Sequence, residues 1–129
     1  MNIDYSDYLK ELYWCMIKGS NDGEGLKIVK IIKLGDYVNE KNIKHIDYLK
    51  LDVEGHELEI IKGCEDFIHN IKYIQFEDFH TFYNGEKVRD IFNYFFDRSF
   101  KVYFIGGLPD NYVATKETIT TLKEIKKDE

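Results

Sequence analysis

Acidic side chains gather where two apolar runs stop. The run at the start of "IDYLKLDVEGHELEIIKG", residues 46–63, ends on Asp52 and Glu54, and the run "IKYIQFE", residues 71–77, ends on Glu77 and is followed by Asp78 and His80. A carboxylate at such a point can accept a hydrogen bond from a substrate hydroxyl, take its proton, or ligate a hard cation. Asp52, the first side chain beyond its run, is the candidate for a polar contact to cofactor or substrate. Glu77 is the candidate general base, and His80 a second proton acceptor near neutral pH. The competing role of Asp52 and Glu54 is capping, because acids suit a helix N-terminus. Glu57, one turn into the following helical pattern, is a capping-type partner for the loop backbone. A hydroxyl contact is the simpler use of these acids, and no metal is assigned. His56 lies near the same rim, whereas His45 and His69 stand at the ends of elements and read as structural or exposed.

Helices, strands and a closing hairpin must position these groups. Tyr5, Tyr8, Leu9, Leu12, Tyr13 and Met16 recur at helical spacing, which predicts a first amphipathic helix capped by Asp4, with Trp14 in its packing; "GSNDGEG" then stops it. "LKIVKIIKL", residues 26–34, is rich in β-branched residues and predicts a strand, with Asp36 capping a short helical turn after it. "IDYLKL" and "IKYIQFE" are the next two strands. Between them, Leu58, Ile61 and Cys64 line one face of a helix beginning near Gly55, so the pair forms a βαβ unit. Val88, Ile91, Phe92, Phe95 and Phe96 mark another helix. "FKVYFI", the turn "GGLPDN" and "YVATK" then read as a closing hairpin, and residues 117–129 as a solvated charged tail. The fold expected is α/β: a partial Rossmann-like sheet, mostly parallel, ending in an antiparallel hairpin and flanked by helices. Ligands bind beyond strand C-termini in such sheets, which accounts for an apolar strand ending on acids.

Length and charge limit what the chain does. At 129 residues with 43% hydrophobic content it has enough chain for one core. A formal net charge of -6, with Lys, Asp and Glu intermixed, offers no basic stripe for phosphate backbones and no polybasic membrane anchor. Nucleic acid and membrane are therefore not expected partners. Cys15 and Cys64 are far apart and lack metal-ligand spacing, and no secretory or membrane-spanning segment is evident, which reads as a reduced, cytoplasmic protein.

The stretch "IDYLKLDVEGHELEIIKG" followed by "IKYIQFEDF" resembles the signature of the FkbM-type S-adenosylmethionine-dependent methyltransferases. The family pattern Lys-Ile-Asp-Val-Glu-Gly-x-Glu falls on residues 50–57, and its Leu-Lys-Gly on residues 61–63. "KIVKIIKLGDYV" resembles the family's Leu-Asp-Asp segment, with Gly35 where the first Asp is usual. The resemblance covers residues 26–116, the family's second half, leaving residues 1–25 as an N-terminal helix and loop. It implies S-adenosylmethionine as cofactor, contacted by Asp52 and Glu54. It also implies methyl transfer to an oxygen of a sugar, polyketide or similar hydroxylated small molecule, with Asp52, Glu77 and His80 on the catalytic side.

Methyltransferases of this architecture cradle the cofactor on a Gly-rich turn after the first strand and hold its ribose with an acid after the second. Neither feature is legible here: "GSNDGEG" follows a helix and reads as a surface loop. Three readings follow. The chain is a truncated methyltransferase, inactive alone. It is one half of a split enzyme completed by an upstream-encoded chain. Or it is a non-catalytic binding or interaction subunit, alone or as a homo-oligomer. The strand at residues 46–51 is expected to be buried on both flanks, its edge covered by the first helix or a partner.

Overall fold

Alternation along "IKYIQFE" sends Ile74 and Phe76 to one side of a strand and Tyr73, Gln75 and Glu77 to the other, and the whole sheet is organised about this division. A computed structural model of the chain describes residues 31–78 and 86–127, nearly all of them in a compact unit spanning Lys33–Glu129. The expected first helix, Trp14, the "GSNDGEG" loop, His80 and most of the strand expected at residues 26–34 lie outside the described residues.

The elements in order are α1 (Leu34–Glu40), β1 (Ile46–Lys50), α2 (Glu57–Gly63), a 3₁₀ segment (Glu65–Asn70), β2 (Ile71–Glu77), α3 (Glu86–Phe96), β3 (Lys101–Gly106), β4 (Asn111–Thr115) and β5 (Lys123–Ile125). They form one five-stranded sheet in the order β1-β2-β4-β3-β5. As the βαβ reading requires, β1 and β2 are adjacent and parallel, with Ile46 opposite Ile71 and Lys50 opposite Gln75. The hairpin extends the same sheet.

The expectation of a mostly parallel sheet is corrected. Only β1–β2 is parallel, while β2–β4, β3–β4 and β3–β5 are antiparallel. The reason is local: the turn joining β3 to β4 is too short for a crossover, so the pair is antiparallel, and it is β4 that docks on β2. Residues 31–33 are not strand and Leu34 already opens α1, so the end of the run expected to be a strand is helical. Asp36 sits in the first turn of α1 instead of capping it; the N-cap is Lys33, with no side-chain cap. The stretch expected to be a solvated tail contributes β5.

Helices cover the Phe76 side. Ile61 of α2, Ile68 of the 3₁₀ segment, and Ile91, Phe92 and Phe95 of α3 join Leu51, Ile74, Phe76, Val102 and Ala114 in one buried cluster. Of the face residues expected for the two helices, Ile61, Cys64, Ile91, Phe92 and Phe95 bury, and Leu58, Val88 and Phe96 pack half-buried against them. Cys64 is in the same cluster, free of any disulfide, and burial pushes its thiol up to about 12, which keeps it an inert apolar filler. On the opposite side the segment after β4 folds back over Tyr103, whose hydroxyl donates to the Glu117 carbonyl at 3.3 Å and accepts from the Ile119 N–H at 3.0 Å.

Gly35 explains one departure from the family pattern. A Cβ at this position would stand 3.0 Å from the Cys64 carbonyl oxygen and 3.1 Å from that of Gly63, so glycine lets α1 seat directly on the end of α2. Gly35→Asp adds both the Cβ and a carboxylate facing those carbonyls. It is expected to destabilise the unit by about 2 kcal/mol, since overpacking exceeds the fraction of a kcal/mol gained in helix propensity. Urea denaturation checks this; an unchanged midpoint would mean that α1 is not seated there.

Candidate functional site

The parallel pairing sets the geometry of the rim. Lys50 is opposite Gln75, and the Leu51 N–H continues the ladder to the Gln75 carbonyl at 2.8 Å, so Asp52 comes level with Glu77 on the neighbouring strand. Adjacent strands lie roughly 4.8 Å apart, and alternation gives both residues the face away from the helices. Asp52 is exposed and Glu77 half-buried. The sequence expectation that two strands deliver acids to one rim is met by this pair.

The loop after β1 is shaped by backbone conformation. Glu54 has φ 50° and Gly55 φ 108°, so two consecutive residues turn left-handed before α2 starts at Glu57. Glycine takes that conformation without penalty, whereas Glu54 costs about 1 kcal/mol. Glu57 helps hold the turn: almost wholly buried at 1% exposure, it accepts the Gly55 N–H on Oε2 at 3.1 Å. That is the backbone-partner role expected of it. The N-cap of α2 is His56, with no side-chain cap, so neither Asp52 nor Glu54 occupies the capping position that was their alternative role.

Asp78 turns the other way. It is buried, its N–H donates to the Asp110 carbonyl at 2.8 Å, and its charge bears on Tyr112. Burial first, then the Asp110 and Asp78 carboxylates, raise the Tyr112 phenol to about 12, with Arg89 opposing. Asp78 is thus a structural acid beneath the rim, distinct from Glu77. His80 lies outside the described residues, and its expected role has no geometry here.

Beneath Asp52 and Glu77 runs a hydrogen-bonded floor that sequence reasoning missed. The Tyr48 hydroxyl donates to Gln75 Oε1 at 2.6 Å, Gln75 Nε2 donates to Asn111 Oδ1 at 3.0 Å, and Asn111 Nδ2 donates to the Pro109 carbonyl at 3.1 Å. The chain crosses β1, β2 and β4 and fixes each amide in one orientation. Gly107, at φ 108°, leaves room for it, because a Cβ there would lie 3.2 Å from Asn111 Nδ2. The available signal was Gln75, a lone amide between the apolar residues Ile74 and Phe76 of the strand. Leu108, 93% exposed, projects from the same β3–β4 turn and gives the rim an apolar shoulder.

The outer edge of β1 has no strand partner among the described residues. The expectation that this strand is buried on both flanks is not met: Asp47, Tyr48 and Lys50 are exposed, and only Ile46 and Leu49 are half-buried. Charged and polar positions are what an edge strand carries. Among the described residues no group of three His, Cys, Asp or Glu gathers to hold a metal ion, and no helix is long and apolar enough to cross a membrane.

For the S-adenosylmethionine that the resemblance implies, this rim supplies acids but no backbone cradle. Asp52 and Glu54 offer carboxylates to hydroxyl or amino groups, but the glycine following the parallel strand, Gly55, has its N–H engaged by Glu57, so its backbone does not form a cradle.

These features define a mixed α/β domain whose parallel strand ends present acids over a polar floor. The family model for the Methyltransferase FkbM domain matches residues 13–121, and the chain belongs to that family. No curated protein and no solved structure matches the chain.

Proposed function

We propose that this chain forms the acceptor side of an S-adenosylmethionine-dependent O-methyltransferase acting on a hydroxylated small molecule, such as a sugar. The supporting observation is the register that sets Asp52 level with Glu77 above the Tyr48–Gln75–Asn111 floor. When bound, the cofactor supplies an electrophilic methyl group. Glu77 accepts the proton of the substrate hydroxyl, Asp52 accepts a hydrogen bond that orients the acceptor or an edge of the cofactor, and the fixed amide floor limits how the acceptor sits. Leu108 excludes water from one flank. In the split-enzyme arrangement the family's glycine cradle is supplied in trans and docks along the outer edge of β1.

A non-catalytic binding subunit is the second reading, favoured by the engaged backbone of Gly55. Two measurements separate them. Calorimetry of the chain with S-adenosylmethionine is expected to show no tight binding. Supplying in trans the N-terminal, glycine-turn half of a full-length FkbM enzyme is expected to restore both cofactor binding and methyl transfer to a panel of sugars and polyols. Micromolar cofactor binding by the chain alone would overturn the split arrangement, and absence of transfer in the complemented pair would leave the binding subunit.

A further inference from the structure

A second site lies at the opposite end of the sheet. A cavity of about 310 Å³ opens beside the starts of β1 and β2 and the end of β4, walled by His45, His69, Asn70, Lys72, Lys116 and Glu117. It is separated from Asp52 and Glu77 by the length of β2, roughly 20 Å for an extended strand. Nothing in the methyl-transfer reading uses it.

The charges on its wall are unevenly matched. Among the described residues Glu117 is the only carboxylate lining it, already engaged in accepting the Tyr73 hydroxyl at 2.5 Å and pairing with Lys72 at 3.6 Å, while Asp47 stands just outside, 2.8 Å from His45. Those contacts, the Tyr73 hydrogen bond foremost, hold Glu117 below the usual carboxylate range and so keep it ionised and committed. Lys116 has no carboxylate among its contacts with described residues. Its Nζ lies 2.6 Å from His69 Nδ1 and 5.2 Å from the centre of the Phe100 ring, on which His69 also stacks. An ammonium has no lone pair to accept with, so Lys116 donates and Nδ1 accepts, which puts the imidazole proton on Nε2 as a further donor. An imidazole lone pair and a ring face position the cation without neutralising it. In a chain of net charge -6, this leaves a positioned, solvent-exposed ammonium on a concave wall that also carries Lys72 and the Asn70 amide.

We infer that this cavity binds a small oxyanion of the phosphate class, either free phosphate or the phosphoryl group of a small molecule. Lys116 is its principal charge contact, with Lys72, Asn70 and the His69 Nε2–H as supporting donors. A tetrahedral dianion uses several donors converging from different elements, and the charge-assisted bond to a preplaced ammonium is the strongest available here. Because the cavity stands apart from the rim, this site holds or fails independently of methyl transfer.

The test is titration of the whole chain with inorganic phosphate and, separately, with glucose 6-phosphate, followed by amide NMR shifts at constant ionic strength set with sodium chloride. Saturable binding at millimolar or lower concentration is expected, with shifts centred on residues 69–72 and 115–117. Lys116→Gln keeps the aliphatic stem against Phe100 and removes the charge, and should weaken binding about tenfold, the effect of losing one charge-assisted hydrogen bond, while leaving the melting temperature unchanged. Lys62→Gln, an equal charge change at an exposed position of α2, should leave affinity as it was. Tighter binding of the sugar phosphate would identify a phosphorylated metabolite as ligand, and equal binding the free ion; both support the site. Non-saturable shifts, or equal losses in the two variants, would overturn it.

Discussion

Phe76→Ala should cost the unit about 4 kcal/mol, more than any other single truncation in the sheet. Phe76 is fully buried on the central strand β2, and its ring meets Phe92 at 6.2 Å, Phe95 at 5.6 Å and Tyr112 at 5.7 Å between centroids. Truncating a buried Phe removes its transfer free energy and leaves a cavity, typically 3–5 kcal/mol together, and here about 0.5–1.5 kcal/mol is lost for each well-oriented ring pair if the neighbours do not close in. Three partners from two other elements cannot all move into one hole, so collapse will recover little. Against a typical total of roughly 5–15 kcal/mol, that loss is from about a quarter to most of the unit's stability. Urea denaturation checks this through the midpoint at unchanged slope. Tyr48→Ala is the contrast: Tyr48 is 52% exposed on the edge strand, and its loss should cost under about 1 kcal/mol. A Phe76 loss below about 1.5 kcal/mol would mean that α3 does not pack on β2 as described.

The parts of this fold that sequence showed are those in which one signal dominates. The run at residues 71–77 became β2 with the expected bounds, because β-branched and aromatic residues, bounded by polar ones, leave no competing pattern. Helix faces were equally legible: Ile61, Cys64, Ile91, Phe92 and Phe95 all bury as their spacing requires. The end of "LKIVKIIKL" misled because β-branched content is a weak preference that context overrides. Leu34 is drawn into α1, where Gly35 packs against the carbonyls closing α2, a contact between segments distant in sequence. β5 was hidden for a related reason: Lys123 and Glu124 look like solvated tail, and only pairing with β3 makes them strand. At the rim, register carried the information. Asp52 and Glu77 are each visible as strand-end acids, but Tyr48, Gln75 and Asn111 become a single network only once three strands are set side by side.

That register also fixes how the acids should behave in an active, complemented enzyme. Asp52→Ala is expected to lower methyl transfer by about 10²-fold or more, and Glu77→Gln by a similar factor, the range general acid–base and orienting groups supply. Neither should disturb the fold, because Asp52 is exposed beyond β1 and Glu77 sits at the last position of β2. The decisive measurement is the double variant. Level positions on strands roughly 4.8 Å apart bring both carboxylates to one acceptor hydroxyl, so removing the second should cost far less than removing the first. Independent roles would instead multiply, giving a loss near 10⁴-fold. If both single variants in the complemented enzyme lose less than about fivefold, the acids at this rim do not touch the reacting oxygen, and the match to the FkbM domain carries no catalytic role for them.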